Sequence, residues 1–280
     1  MNYRHEFHAG NFADVFKHII LSRILLHLGA KPTPFRAIET HAGSGIYDLL
    51  GPEAGKTAEW RGGIGKLMAA TPPPEVQPLI EPYLQIVAPL IDGKPQHYGG
   101  SPWIAKALLR RQDKLLLCEL HPRAFATLWD NFGNDARIKL FQIDGYTRLK
   151  AFLPPVERRG LVLIDPPFEA VDEFARATEV IEKAWRKWMT GIIMFWYPVK
   201  DTGTCAAFAA QLAERVIKRV LRLELQTGPP TPLGPLARCG LIIVNPPFRL
   251  DAEAKILLPW LSGVLGDDER GFLIEWLSGE

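Results

Sequence analysis

Short apolar runs and stretches with apolar residues at helical spacing take turns through most of this chain. After an irregular start over residues 1–10, Val15, Ile19, Ile20, Ile24 and Leu28 recur at intervals that predict a helix from Asn11. Lys31 to Pro34 ends it, and Phe35 to Glu39 reads as a strand. Between Pro52 and Gly100 the texture changes: prolines cluster at Pro72, Pro73, Pro74, Pro78 and Pro82 with helical patterns on either side, which predicts a helical insertion. Ser101-Pro102 reads as a helix start, with Ser as the cap and Pro in the first turn, running to about Arg111. Strands are then expected over 115–119, 138–143, 161–164 and 191–196, each followed by a helix (121–132, near 146, 171–189, 205–216). Arg219 to Leu225 and Gly240 to Val244 form a closing antiparallel pair across the loop Gly228 to Pro235, before a last helix carrying Ile256, Leu257, Trp260 and Leu261. This alternation predicts an α/β three-layer sandwich around a mainly parallel sheet. The expected organisation is 1–51 (tail, first helix and first loop), 52–100 (helical insertion) and 101–280 (the remainder of the main domain).

Composition sets bounds on this picture. The 280 residues are 47% hydrophobic and 23% charged, ordinary globular values. A net charge of +2 requires any nucleic-acid contact to come from local concentrations of charge. Cys118, Cys205 and Cys239 lie far apart, which speaks against a zinc ribbon or a disulfide scaffold and fits a reducing cytoplasm. The polar N-terminus does not read as a signal peptide, and no apolar run is long enough to span a membrane. His5 and His8 near His18 match no usual metal-ligand spacing, so no metal is expected.

Ligands of such sheets bind beyond the carboxyl ends of the strands, so the residues following each strand carry the chemistry. The first strand is followed by Glu39-Thr-His-Ala-Gly-Ser-Gly, whose glycines allow a ligand close to the backbone. The second is followed by Glu119, an acid placed to hold ribose hydroxyls, and the third by Asp144-Gly145, placed to accept from an adenine amine. A nicotinamide site would need a third glycine, which Gly43-Ser-Gly45-Ile-Tyr-Asp48 lacks. The fourth strand ends in Asp165-Pro166-Pro167-Phe168. Here a carboxylate and a carbonyl can accept both hydrogens of an exocyclic amine, the prolines remove competing donors, and the aromatic can stack on a heterocycle. Asn245-Pro246-Pro247-Phe248 repeats the pattern, but after what reads as the last strand, which should end away from the site.

The four strand-end signals in this order resemble the class I S-adenosylmethionine-dependent methyltransferases, and Asp165-Pro-Pro-Phe resembles the motif of those that methylate amines. The stretch Tyr3 to His18, with Thr40-His41-Ala42-Gly43, Gly100-Ser101-Pro102, Glu119-Leu120-His121-Pro122, Leu163 to Pro167 and Trp196-Tyr197-Pro198, is similar to the RlmJ family of 23S ribosomal RNA adenine-N6 methyltransferases. That resemblance implies a Rossmann-like fold with an inserted helical subdomain, S-adenosylmethionine as cofactor and 23S rRNA, protein-free or in an early assembly intermediate, as partner of a monomer. It implies His18, His41, Ser101, Glu119, Asp144, Gly145 and Asp165 as cofactor contacts, Asp165 with Pro166 and Phe168 as the catalytic group, and Tyr3 and Arg4 at the RNA. Arg4, Arg61, Lys66, Arg110, Arg111, Arg158, Arg159, Lys200, Arg238 and Arg249 are the candidate phosphate contacts. The competing readings are a DNA adenine methyltransferase, for which no target-recognition domain is discernible, and a non-catalytic cofactor- or ribosome-binding protein. The irregular, aromatic-containing tail over residues 1–12 is expected to act as a lid.

Overall fold

The computed structural model describes residues 4–92 and 96–279, so Tyr3 lies outside the described residues. After a 3-10 turn at His5–Phe7 come α1 (Phe12–Gly29), β1 (Arg36–Glu39), β2 (Ile46–Asp48), α2 (Pro52–Thr57), a second 3-10 turn at Glu59–Arg61, α3 (Ile64–Ala69), α4 (Gln77–Ile91) and β3 (His97–Gly99). They are followed by α5 (Ser101–Leu108), β4 (Lys114–Cys118), α6 (Pro122–Phe132), β5 (Ile138–Phe141), α7 (Gly145–Phe152), β6 (Gly160–Ile164), α8 (Glu173–Lys187) and β7 (Ile192–Pro198). The chain closes with α9 (Thr202–Ala213), β8 (Val220–Gln226), β9 (Arg238–Val244), α10 (Leu250–Leu265) and β10 (Gly271–Ser278).

Eight strands form one sheet in the order β10-β8-β9-β7-β6-β1-β4-β5. β5, β4, β1, β6 and β7 run parallel, and β9, β8 and β10 join antiparallel. β6, Gly-Leu-Val-Leu-Ile, is buried at every position, the signature of a central parallel strand covered on both faces. One face packs against α1, α5 and α10; the other is covered by α7, α8 and α9. α1 is buried almost all round, because the sheet, α4, α5 and α10 enclose it. Its polar residues Asp14, Lys17, His18 and Ser22 are buried with it and must find partners inside the protein.

Three sequence expectations are corrected. Ser101 is the first helical residue of α5, not its cap; Gly100 takes the cap position, and the Ser101 hydroxyl donates 2.7 Å to Glu39. Ile46–Asp48 and His97–Gly99 pair antiparallel and close a small second sheet that the pattern did not reveal. β9 is not the last strand: β10 lies antiparallel on β8 at the sheet edge. No residue of β10 is fully buried, so it lacks the in/out alternation that marks a half-buried strand.

Candidate active site

Because β1, β4, β5, β6 and β7 are parallel, their carboxyl ends open on one side of the sheet, and a cavity of about 490 Å³ lies there. That volume is in the range of small-molecule sites. Arg4, His18, His41, Ser101, Glu119, Asp165, Pro166 and Phe168 all line it.

The loop after β1 forms one wall. Gly43 has φ of +62°, and a Cβ there would lie 2.3 Å from the Tyr47 hydroxyl, so only glycine fits. Its N–H donates 2.8 Å to Glu119, whose other oxygen accepts from the His121 N–H at 2.7 Å. These two bonds fix the carboxylate at the end of β4, while burial raises its pKa. Glu39 lies behind Ser101, 2% exposed; burial pushes it up to about 8, and its Oε1 has no hydrogen-bond partner. His41 stands edge-on to Tyr146, with ring centroids 4.9 Å apart and Nδ1 within 2.8 Å of the Thr40 hydroxyl. Burial takes His41 down to about 4 and His18 down to about 3, so both rings are neutral at pH 7. His18 Nδ1 lies 2.7 Å from the Tyr98 hydroxyl, deep behind the wall.

Asp165 follows β6, and its neighbour across the cavity is Lys17 of α1, whose Nζ donates 2.5 Å to Asp165 Oδ2. The same ammonium sits 3.0 Å from Asp14 Oδ1. Burial alone would lower the Lys17 pKa, but Asp14 and Asp165 outweigh it and raise it. Asp14 takes further support from His5 Nε2 at 3.0 Å and the Gly10 N–H at 2.9 Å. Burial would raise its carboxyl, yet His5, Lys17 and His18 hold it well below the usual range. A chain of hydrogen bonds and ion pairs thus runs from the tail through α1 to the end of β6. Phe168, at φ of +52°, is half-buried against Phe174, Phe195 and Trp196, with centroids 5.1, 6.0 and 5.9 Å away. Arg4 reaches the cavity rim and pairs with Glu53 at 2.5 Å.

Two expected contacts stand apart. Asp144 and Gly145 do not line the cavity. Asp144 caps α7 through Thr147 and pairs with Arg176 at 2.9 Å, while Gly145 packs so tightly that a Cβ would lie 2.2 Å from the Thr40 carbonyl. The second Pro-Pro motif lies at the opposite edge of the sheet. β9 runs against β7, so Asn245 emerges beside the start of β7, and its amide donates 2.8 Å to the Met189 and Gly191 carbonyls. Among the candidate phosphate contacts, Arg238 turns inward to the buried Glu224, and Lys66 donates to the Leu265 carbonyl. Lys17 and Asp14 are the residues that sequence reasoning passed over. The available signal was an acid and a base at i, i+3 in the largely apolar first half of the helix.

A loop with two positive-φ glycines, a fixed acid after the neighbouring strand and a Pro-Pro acid after β6, around one cavity on a largely parallel sheet, define a class I methyltransferase. The family model described as "Ribosomal RNA large subunit methyltransferase D, RlmJ" matches residues 32–278. The chain therefore belongs to the RlmJ family of ribosomal RNA large-subunit methyltransferases. It is 38% identical over 283 residues to ribosomal RNA large subunit methyltransferase J of Haemophilus influenzae, and 38% identical over 282 residues to that of Escherichia coli, covering 100% of each chain in both cases. A solved structure from Legionella pneumophila shares 35% identity and superposes with a TM-score of 0.87 over 96% of this chain and 98% of that one.

Proposed function

We propose that this protein transfers a methyl group from S-adenosylmethionine to the exocyclic N6 of one adenine in 23S rRNA, with Asp165, Pro166 and Phe168 as the catalytic group. The carrying observation is that Asp165-Pro-Pro-Phe lines the same cavity as the Gly43 loop and Glu119. The residues present fit the cofactor. Glu119 offers a fixed carboxylate to a ribose, and Glu39 keeps a buried oxygen without a partner beside Ser101. His18 and His41, both neutral, complete that side of the site. When bound, S-adenosylmethionine supplies an activated methyl group and needs no metal.

The protein's task is alignment and charge stabilisation. Adenine N6 is a weak nucleophile because its lone pair is delocalised into the ring. Lys17 holds Asp165 Oδ2, which leaves Oδ1 and the Pro166 carbonyl to accept the two N6 hydrogens. Drawing on both hydrogens favours a pyramidal nitrogen and stabilises the positive charge that develops there. The methylated nitrogen then loses a proton to Asp165 or to water. Phe168 stacks the adenine, worth about 1–3 kcal/mol. Arg4, at the cavity rim, contacts the RNA, and the same role is assigned to Tyr3, which lies outside the described residues. Helices α2 to α4 belong to an inserted subdomain over residues 52–100, and the tail over residues 1–12 is the lid. The Asp144-Gly145 turn serves the cofactor by setting the wall against Thr40. The protein acts as a monomer in the cytoplasm on protein-free 23S rRNA or an early assembly intermediate, where its three buried thiols stay reduced.

The test combines calorimetric titration of S-adenosylmethionine with labelled-methyl transfer to protein-free 23S rRNA and to duplex DNA. Saturable cofactor binding and label in the RNA alone support the reading. Label in the DNA alone, or none in either despite cofactor binding, overturns the acceptor.

A further inference from the structure

The edge of the sheet opposite the cavity carries a concentration of charge that the catalytic site does not use. Four loops lead into the amino ends of β6, β1, β4 and β5, which are adjacent in that order. Residues 27–36, 109–114, 135–137 and 155–160 hold eight lysines and arginines against three carboxylates, a net of +5 on a chain whose net charge is +2. The three acids are already engaged: Asp113 with Arg110 at 2.8 Å, Asp135 with Arg137 at 2.6 Å and Glu157 with Arg36 at 2.9 Å. Lys31, Arg111, Lys114, Arg158 and Arg159 remain without a carboxylate partner among the described residues. Lys31, Arg111 and Arg158 are exposed.

The loops are tied into one surface. Arg110 and Arg159 both donate to the Thr33 carbonyl, at 3.0 and 3.1 Å, and Arg110 also reaches the Gly29 carbonyl at 3.0 Å. Burial first, then the fields of Arg159 and Lys31, lower the pKa of His27 at the same edge. Like charges held this close are unfavourable unless an anion offsets them. Across four strands the edge spans roughly 15 Å, enough for several phosphates.

We propose that this edge is a second RNA-contact surface, gripping the phosphodiester backbone of a segment distinct from the one that enters the cavity. Arg159 and Asp165 flank β6 at opposite ends, about 20 Å apart through the sheet. A single nucleotide at the catalytic group therefore cannot reach both, whereas a large folded RNA can wrap from one edge to the other. The inference rests on 23S rRNA being the substrate and adds where its remote parts are held.

The test is equilibrium binding of 23S rRNA to the full chain over a salt series, comparing wild type with the triple variant Lys31→Gln, Arg111→Gln, Arg158→Gln. An adenine-containing pentanucleotide is titrated in parallel. Each lost phosphate contact lowers the slope of log K against log salt by about 0.7–0.9, so the triple variant should bind 23S rRNA with a slope shallower by about 2. Pentanucleotide binding and kcat should not change. Arg111→Lys with Arg158→Lys should keep the wild-type slope, since a phosphate needs only the charge. An unchanged slope in the triple variant overturns the inference, as does an equal weakening of pentanucleotide binding. Wild type that fails to bind 23S rRNA overturns the substrate reading itself, a separate and recognisable failure.

Discussion

Replacing Lys17 with methionine removes a cation that touches both Asp14 and Asp165. The side chains of Lys17 and Asp14 are 5% and 1% exposed, so water cannot take over the lost contacts. Removing one partner of a buried pair costs about 3–5 kcal/mol, because the remaining charge is left uncompensated. Asp14 keeps His5 and the Gly10 N–H, which places the expected loss near the lower end, about 3 kcal/mol. That is a large share of the roughly 5–15 kcal/mol by which a domain is stable. The assay is urea unfolding without cofactor, read as a fall in midpoint at constant slope. Adding Asp14→Asn removes the stranded charge and should return most of the stability. It should not return activity, because Asp165 still lacks the bond that sets its orientation. A misplacement of about 1 Å is worth roughly a hundredfold in rate. Lys17→Met within 1 kcal/mol of wild type, or a double variant that recovers full methyl transfer, would refute the reasoning.

Three further outcomes are expected. Between about 4.5 and 8 the folded state holds a proton on Glu39 that the unfolded chain has released, so stability falls as pH rises through this window. His18 and His41 act in the opposite sense: unprotonated when folded, they cost stability as pH drops below 6.5. Stability without cofactor should therefore peak near pH 6.5 in these groups, and Glu39→Gln should flatten the alkaline decline of about 1.4 kcal/mol per unit, as thermal melts from pH 6 to 8 would show. Gly145→Ala forces a Cβ against the Thr40 carbonyl and should cost about 1–3 kcal/mol of stability in the same melts. Asn245→Ala loses two bonds to the carbonyls before β7 and should cost about 1–3 kcal/mol while leaving kcat unchanged, since it sits at the far edge of the sheet.

The βα order of the sheet was legible because parallel strands buried on both faces leave continuous apolar runs such as Leu161 to Ile164. The closing hairpin was legible from its loop, whereas Asn245 is remote for a different reason than expected: β9 is not the last strand but runs against β7, so it ends at the opposite edge. β10 was not legible, because backbone pairing to β8 specifies it more than side-chain burial does. Ser101 looked like a cap because a serine before a proline usually is one; only the fold brings the Glu39 carboxyl within reach of its hydroxyl. His18 of α1 and Ser101 of α5 entered the expected site only through the family resemblance; the reading from strand ends had no place for α1, so Lys17 and Asp14 were missed. Lys17 and Asp165 are 148 positions apart, and no local pattern reports that they meet.

The most direct test of the catalytic group is nucleoside analysis of 23S rRNA treated with S-adenosylmethionine and either wild type, Asp165→Ala or Asn245→Ala, with cofactor binding measured for each. N6-methyladenosine should appear with wild type and Asn245→Ala and be lost with Asp165→Ala, since alanine keeps no acceptor for the N6 hydrogens, although all three bind the cofactor. Undiminished N6-methyladenosine from Asp165→Ala, or its loss only with Asn245→Ala, would contradict the placement of the chemistry at the end of β6.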